Sequence, residues 1–239
     1  MIRLHFIVEG QTEQEFVKDL VAEELNRSGY DFICDARLIR TSRDFSAGMV
    51  FKGGSATYNK VKNDIIRSIK DDGSSDSYFT TMFDYYKLPK DFPGMPEVKH
   101  FNDPYKAVEM LEQNLKEDIA AEIPNFDVKH KFLPNIMCHE FETIILTDVT
   151  KLLDYYENRR DSIQRLSCEV NSIGNPEFVN SDPSTAPSRR IIKAIQEYDK
   201  VFCGVCVATD IGIGRIRSAC VHFDSWLTAL EKLKEVESA

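Results

Sequence analysis

The sequence predicts an α/β fold: a mainly parallel sheet flanked by helices, with a helical elaboration towards the C-terminal end. Three observations predict it. Short strand-like apolar stretches repeatedly lead into amphipathic helical patterns, the alternation that builds parallel sheets through crossover connections. A chain of 239 residues with 42% hydrophobic and 10% aromatic side chains can bury a real core, which excludes general disorder. The longest apolar run, residues 202–208, is broken by Gly204 and falls far short of the roughly 20 residues that a membrane-spanning helix needs.

Taken in order, Ile2–Val8 reads as a buried strand that ends at Glu9 and Gly10. Thr12 ahead of Glu13 and Glu15 suits an N-cap with an acidic first turn, and Phe16, Val17, Leu20, Val21 and Leu25 recur at helical spacing as far as Gly29. Residues 32–39 form the next strand, half exposed because of Asp35 and Arg37, and residues 42–55 read as a loop rich in Gly, Ser and basic side chains. Residues 58–70 are helical through Val61, Ile65, Ile66 and Ile69, and residues 78–83 are a third strand that stops at Asp84. Prolines break residues 85–100. Residues 104–123 then carry Val108, Leu111, Leu115 and Ile119 on one helical face. Residues 132–138 are a fourth strand despite Pro134, and residues 141–153 are helical. Residues 1–150 therefore form the α/β unit. Residues 151–239, with helices expected over 151–168, 190–198 and 224–236, are a C-terminal elaboration that either caps this domain or belongs to it.

Thirty Lys and Arg against thirty-nine Asp and Glu leave a formal net charge of -9, so the chain does not coat nucleic acid by bulk positive charge. Any such contact must use local patches. The N-terminus reaches an acidic residue at once and lacks a signal-peptide pattern, so the expectation is a cytoplasmic chain with six reduced cysteines. Cys203 and Cys206 have ligand-like spacing, but a lone CxxC inside an apolar, strand-like run is read as ordinary buried cysteine. His5, His222 and Trp226 are read as packing residues of the core.

In an open α/β sheet, ligands bind beyond the carboxyl ends of the strands. Acidic residues sit at three such ends: Glu9 with Glu13, Asp84, and Glu140 with Glu142. Carboxylates converging from separate strand ends suit Mg²⁺ or Mn²⁺, hard ions that take oxygen ligands and keep waters for exchange. Singly, each acid has an ordinary explanation as a helix-dipole partner or a turn cap.

IVEGQTE at 7–13 after the opening strand, with Phe83 and Asp84 after a later one, resembles the Toprim metal-binding domain of topoisomerases, primases and overcoming-lysogenization-defect nucleases. The similarity is stronger to a Toprim-like family of uncharacterised bacterial proteins often encoded beside an AAA or SMC-like ATPase, through FDYYKLP at 83–89, HEFE at 139–142, TAPSRRI at 185–191 and IGIGRIR at 211–217. The resemblance implies that Glu9 is the first Toprim acid, catalytic either as a metal ligand or as a proton donor and acceptor, and that Glu13 adds a ligand one helical turn on. It also implies that Asp84 holds the catalytic metal, that Glu140 or Glu142 supplies a further carboxylate, and that His139 orients it or meets a phosphate. In a helix Glu140 and Glu142 would point about 200° apart, so one of the two is the ligand. Many Toprim domains carry Asp-x-Asp where this chain has Asp84, Tyr85 and Tyr86, which puts a two-metal site in doubt unless Glu13 and the HEFE segment replace the second Asp.

Phosphodiester cleavage needs positive charge nearby, and Arg189, Arg190 and Lys193 offer it at a helix start. Arg215 with Arg217, and Arg37 with Arg40 and Arg43, are weaker patches. The expectation is an Mg²⁺-dependent nuclease acting on DNA or RNA as the effector of a bacterial anti-phage defence system with an ATPase partner. The competing expectation is a non-catalytic acidic subunit that docks on that ATPase. Neither excludes a homo-oligomer.

Overall fold

The computed structural model describes residues 1–27, 29, 31–39, 57–179 and 183–234. The expected loop at 42–55, with Arg40 and Arg43, lies outside them. Strand β1 (Ile2–Val8) is central and parallel to both β2 (Phe32–Leu38) and β3 (Ser77–Asp84), and the sheet runs in the order β2, β1, β3, β4. The fold is the expected α/β architecture with a parallel sheet flanked by helices.

β1 leads through Gly10 into α1 (Gln11–Phe16), which continues through one π-helical stretch, Val17–Val21, into α2 (Ala22–Asn26). The helix starts before Thr12, which is buried in its first turn instead of capping it, because extended backbone at Gly10 already supplies the N-terminal turn. Helix α3 (Tyr58–Asp71) connects β2 to β3, and α4 (Met95–Val98) and α5 (Pro104–Glu122) follow β3. Asp103 caps α5 by accepting from the Tyr105 N–H at 3.0 Å.

After α6 (Val128–Lys131), the single expected fourth strand is two short pieces, β4 (Phe132–Leu133) and β5 (Ile136–Met137), both parallel to β3. Pro134 offers no N–H to a ladder, and between the pieces the Thr81 hydroxyl takes over: it accepts from the Asn135 N–H and donates to the Asn135 carbonyl, both at 2.9 Å.

The expected helix at 141–153 is also divided. It comprises α7 (Glu142–Ile145) and a 3₁₀ stretch (Leu146–Asp154) interrupted by non-helical backbone at Asp148, whose carboxylate takes bonds from the Thr150 N–H and hydroxyl. Such local side-chain bonds compete with the helix ladder.

The α-helices that follow among the described residues are α8 (Arg160–Ile173), α9 (Pro187–Ala194), α10 (Lys200–Ile211), α11 (Ile213–Ala219) and α12 (Val221–Glu231). The strand-like reading of residues 202–208 is corrected: they lie inside α10. A continuous apolar run suits a buried helix as well as a strand, and here Asp199 caps the Val201 and Phe202 N–H groups while Gly212, at φ 80°, ends the helix. Cys203 is buried in it and Cys206 exposed.

The period of two along the strands sorts side chains between two cores. Leu4, Phe6 and Val8 of β1 and Tyr78 and Met82 of β3 face a layer holding α1, α2 and α7 to α12. Ile7, Phe79 and Phe83 face the layer of α3 and α5. Residues on both sides of 150 therefore share one core. The Trp226 indole N–H, on α12, donates to the Thr80 hydroxyl of β3 at 2.9 Å, fixing α12 onto the sheet. Among the described residues no helix is long and apolar enough to cross a membrane.

Candidate functional site

Asp84 ends β3 and continues the Tyr78, Thr80 and Met82 alternation, so it points towards the layer of α1, α7 and α10. Glu9 follows β1, and Glu13 lies in the first turn of α1. Glu142 opens α7. All four meet in one crevice at the carboxyl edge of the sheet, where Glu13, Asp84 and Glu142 are almost fully buried.

Two lysines hold them together. The Lys87 Nζ is 2.6 Å from Asp84 Oδ2 and 3.8 Å from Glu9 Oε2. The Lys200 Nζ is 2.8 Å from Glu13 Oε1, 3.4 Å from Glu142 Oε2 and 3.6 Å from Asp84 Oδ2.

Backbone geometry aims these groups. Gly10 lets the Glu13 carboxylate fold back against the chain: a Cβ there would sit 2.6 Å from Glu13 Oε2. His139, with φ 71°, is in the left-handed region that bulky residues rarely adopt, and it turns the chain between β5 and α7. That turn points the Phe141 N–H at Asp84 Oδ1, 2.9 Å away. Gly204 lets α10 pass close over Phe141 and Thr12, which brings Lys200, one turn earlier, into the crevice.

Burial and charge push the carboxyl groups apart in acidity. Burial opposes the charged form of Asp84, yet the ammonium groups of Lys200 and Lys87 and the Phe141 N–H outweigh it and hold its pKa below the usual range. Glu9 is pushed well above that range by burial and by repulsion from Asp84. Glu142 is pushed up to about 7, mainly by burial, with Glu140 and Asp84 adding to it. Against burial, the surrounding carboxylates raise the pKa of Lys200 and of Lys87. Neighbouring carboxyls driven apart in this way are the raw material of acid–base chemistry.

Glu9 Oε2, Glu13 Oε1, Asp84 Oδ2 and Glu142 Oε2 are sealed from solvent, and none has a hydrogen-bond partner of regular geometry. Carboxyl oxygens gathered in one crevice are hard donors of the type that Mg²⁺ or Mn²⁺ takes. As the side chains stand, no group of three or more ligands among the described residues is arranged to grip an ion, since the lysines lie between the acids.

The other expected residues are placed differently. Glu140 faces away: its Oε1 accepts from the Ser188 N–H of α9 at 2.6 Å, leaving Glu142 as the crevice member of the pair. His139 is buried, pairs its Nε2 with the Glu177 carbonyl at 3.0 Å and stacks on Tyr86, so these contacts of its ring are with a backbone carbonyl and an aromatic face rather than with a crevice carboxylate. Burial lowers its pKa to about 4, so it is neutral.

Arg190 is also structural. It pairs with Glu169 and donates to the Thr185 and Val179 carbonyls, whereas Arg189 and Lys193 are exposed. Arg217 is tied to Asp224, Glu231 and Glu24, and Arg37 to Asp35 and Asp71. His5 sits between Asp35 and Asp72, as befits a sheet histidine with its partners.

The sequence reading missed Lys200 and gave Lys87 no role. Lys87 carried a signal, three residues after Asp84 within a quoted segment. The signal for Lys200 was the Asp199 cap at the start of an apolar run.

Fold and crevice together define a parallel-sheet α/β protein with a lysine-bridged carboxylate site at the strand ends. The family model described as a domain of unknown function, DUF4276, matches residues 8–231, and the chain belongs to that family. No curated protein and no solved structure matches it.

Proposed function

We propose that the crevice is the active centre of a metal-dependent nuclease hydrolysing phosphodiester bonds in DNA or RNA, the effector of an anti-phage defence system working with an AAA or SMC-like ATPase. The observation that supports the chemistry is the convergence of Glu9, Glu13, Asp84 and Glu142, from three strand ends, on one sealed crevice. The defence role and the ATPase rest on the sequence resemblance alone.

Bound Mg²⁺ or Mn²⁺ would polarise a phosphoryl oxygen and make water more acidic. Asp84, ionised and aimed by the Phe141 N–H, would hold the ion, with Glu13 and Glu142 as further ligands. Glu9 retains a proton more readily than an ordinary carboxyl, which suits it to protonate a leaving oxygen. Lys87, half exposed at the mouth, is placed to meet a phosphate. The test is cleavage of a panel of DNA and RNA substrates with and without Mg²⁺ or Mn²⁺, comparing wild type with Glu9→Gln and Asp84→Asn. Activity that needs the ion and drops by orders of magnitude in both variants supports the reading.

One observation favours the non-catalytic subunit: the lysines already neutralise the acids. Wild type that cleaves nothing with its ATPase present, together with variants that still assemble, would decide for it.

A further inference from the structure

Resting on the metal-site reading above, we infer that Lys200 is a tethered cation that holds the ligand carboxylates together in the metal-free protein, and that a divalent ion binds only by displacing it.

The Lys200 ammonium stands among three carboxylates from three elements, Glu13 of α1, Asp84 of β3 and Glu142 of α7, at 2.8, 3.6 and 3.4 Å. That is the position a cation shared by those residues would take. Without it, the almost fully buried Glu13 and Glu142 would face Asp84 with the only ammonium left nearby, that of Lys87, paired to Asp84 and Glu9. Lys87 cannot replace it: that ammonium reaches Asp84 and Glu9 only, from a side chain 51% exposed.

The placement of Lys200 is built into the fold. It opens α10 behind the Asp199 cap, and the missing side chain of Gly204 sets the approach of that helix to Phe141 and Thr12. A divalent ion entering among the same oxygens meets a like charge a few ångströms away. Even at the effective dielectric of a protein surface, unit charges at about 4 Å interact by several times the energy of a tenfold change in affinity. The crevice therefore exchanges one cation for another, which gives it weak metal affinity and a stable metal-free state.

Two measurements on the full chain test this. The first is reductive methylation of wild type with and without saturating Mn²⁺, mapped by peptide mass spectrometry with exposed Lys99 as reference. Lys200 should be spared without metal and labelled with it. The second is calorimetric titration of Mn²⁺ into wild type, Lys200→Gln and Asp84→Asn. The Lys200→Gln variant should bind about tenfold or more tightly than wild type, and Asp84→Asn should not bind.

Wild type that binds Mn²⁺ while Lys200 keeps its protection overturns the displacement and leaves the metal site standing. Equal affinities in wild type and Lys200→Gln do the same. No binding by either protein overturns the metal reading and this inference with it. If Lys200→Gln does not fold without Mn²⁺, the methylation of wild type decides.

Discussion

The Lys200 ammonium lies 2.8 Å from the Glu13 carboxylate, so the first turns of α1 and α10, from opposite ends of the chain, meet in the crevice. The helices after residue 150 thus complete the site as well as the core. Ile163, Leu166, Phe223 and Leu227 are buried in the same cluster as Leu4, Phe6 and Phe16. A fragment of residues 1–150 is expected to lose cooperative thermal unfolding, because it keeps α1, α2 and α7 on that face of the sheet but loses the apolar side chains of α8 to α12 that complete the core. Circular dichroism melts of the fragment and the full chain check this; a sharp transition in the fragment would show an independent domain.

The second prediction is a pH dependence of stability. The Glu142 carboxyl is pushed up to about 7 by burial, whereas an unfolded glutamate titrates near 4.5. Between those values the folded state binds more protons than the unfolded one, so this group's contribution is fully present below about pH 4.5. It is lost as pH rises through about 7. Glu142→Gln should therefore melt higher than wild type at pH 8 and close to it at pH 4.5, measured without divalent ions. His139 works in the opposite sense, with its contribution lost as pH falls through about 4, but it is common to both proteins and cancels in the difference. A variant that melts lower than wild type at pH 8 would mean that the Lys200 ion pair outweighs burial.

Gly10→Ala separates the aim of the Glu13 carboxylate from the fold. The added Cβ would stand 2.6 Å from Glu13 Oε2, at the far end of a flexible side chain, so the carboxylate moves while the backbone, extended at φ −144°, accepts alanine. The melting temperature should change little, and Mn²⁺ binding by calorimetry should weaken. Unchanged binding would remove Glu13 from the ligand set.

The sheet was legible because strand ends fall where apolar runs meet charge: Val8 at Glu9 and Phe83 at Asp84. The same feature made those acids legible as candidate site residues, since a residue that ends a parallel strand has its place in the crevice fixed by local sequence. Lys200 was not legible, because its position depends on how α10 packs on α1 and α7. Its run of apolar residues also lacks the periodicity that separates a buried helix from a buried strand. Neither was the choice between Glu140 and Glu142, which depends on the left-handed turn at His139 and on the arrival of α9 beside Glu140. Charge clusters misled for a related reason. Sequence shows that arginines are adjacent, but only packing shows that Arg190 and Arg217 are already paired.

That pairing divides the basic cluster into two kinds of residue, and the last prediction rests on the division. Arg190 joins α9 to Glu169 of α8 and to the Val179 and Thr185 carbonyls, with its side chain only 16% exposed. Arg190→Ala removes the side chain that donates to two carbonyls and a carboxylate, a loss of about 0.5–1.5 kcal/mol in a denaturant melt. Arg189 and Lys193 are exposed on the same helix, and their charges are open to solvent. Replacing both by Ala should leave the melt unchanged. If nucleic acid crosses this face, each phosphate contact removed flattens the slope of log affinity against log salt by roughly one unit, so the double variant should lose up to about two. Fluorescence anisotropy with labelled single-stranded and duplex oligonucleotides over a salt series reads that slope. An unchanged slope with unchanged stability would take nucleic acid off α9, and any phosphate grip would then have to come from Lys87 at the mouth of the crevice.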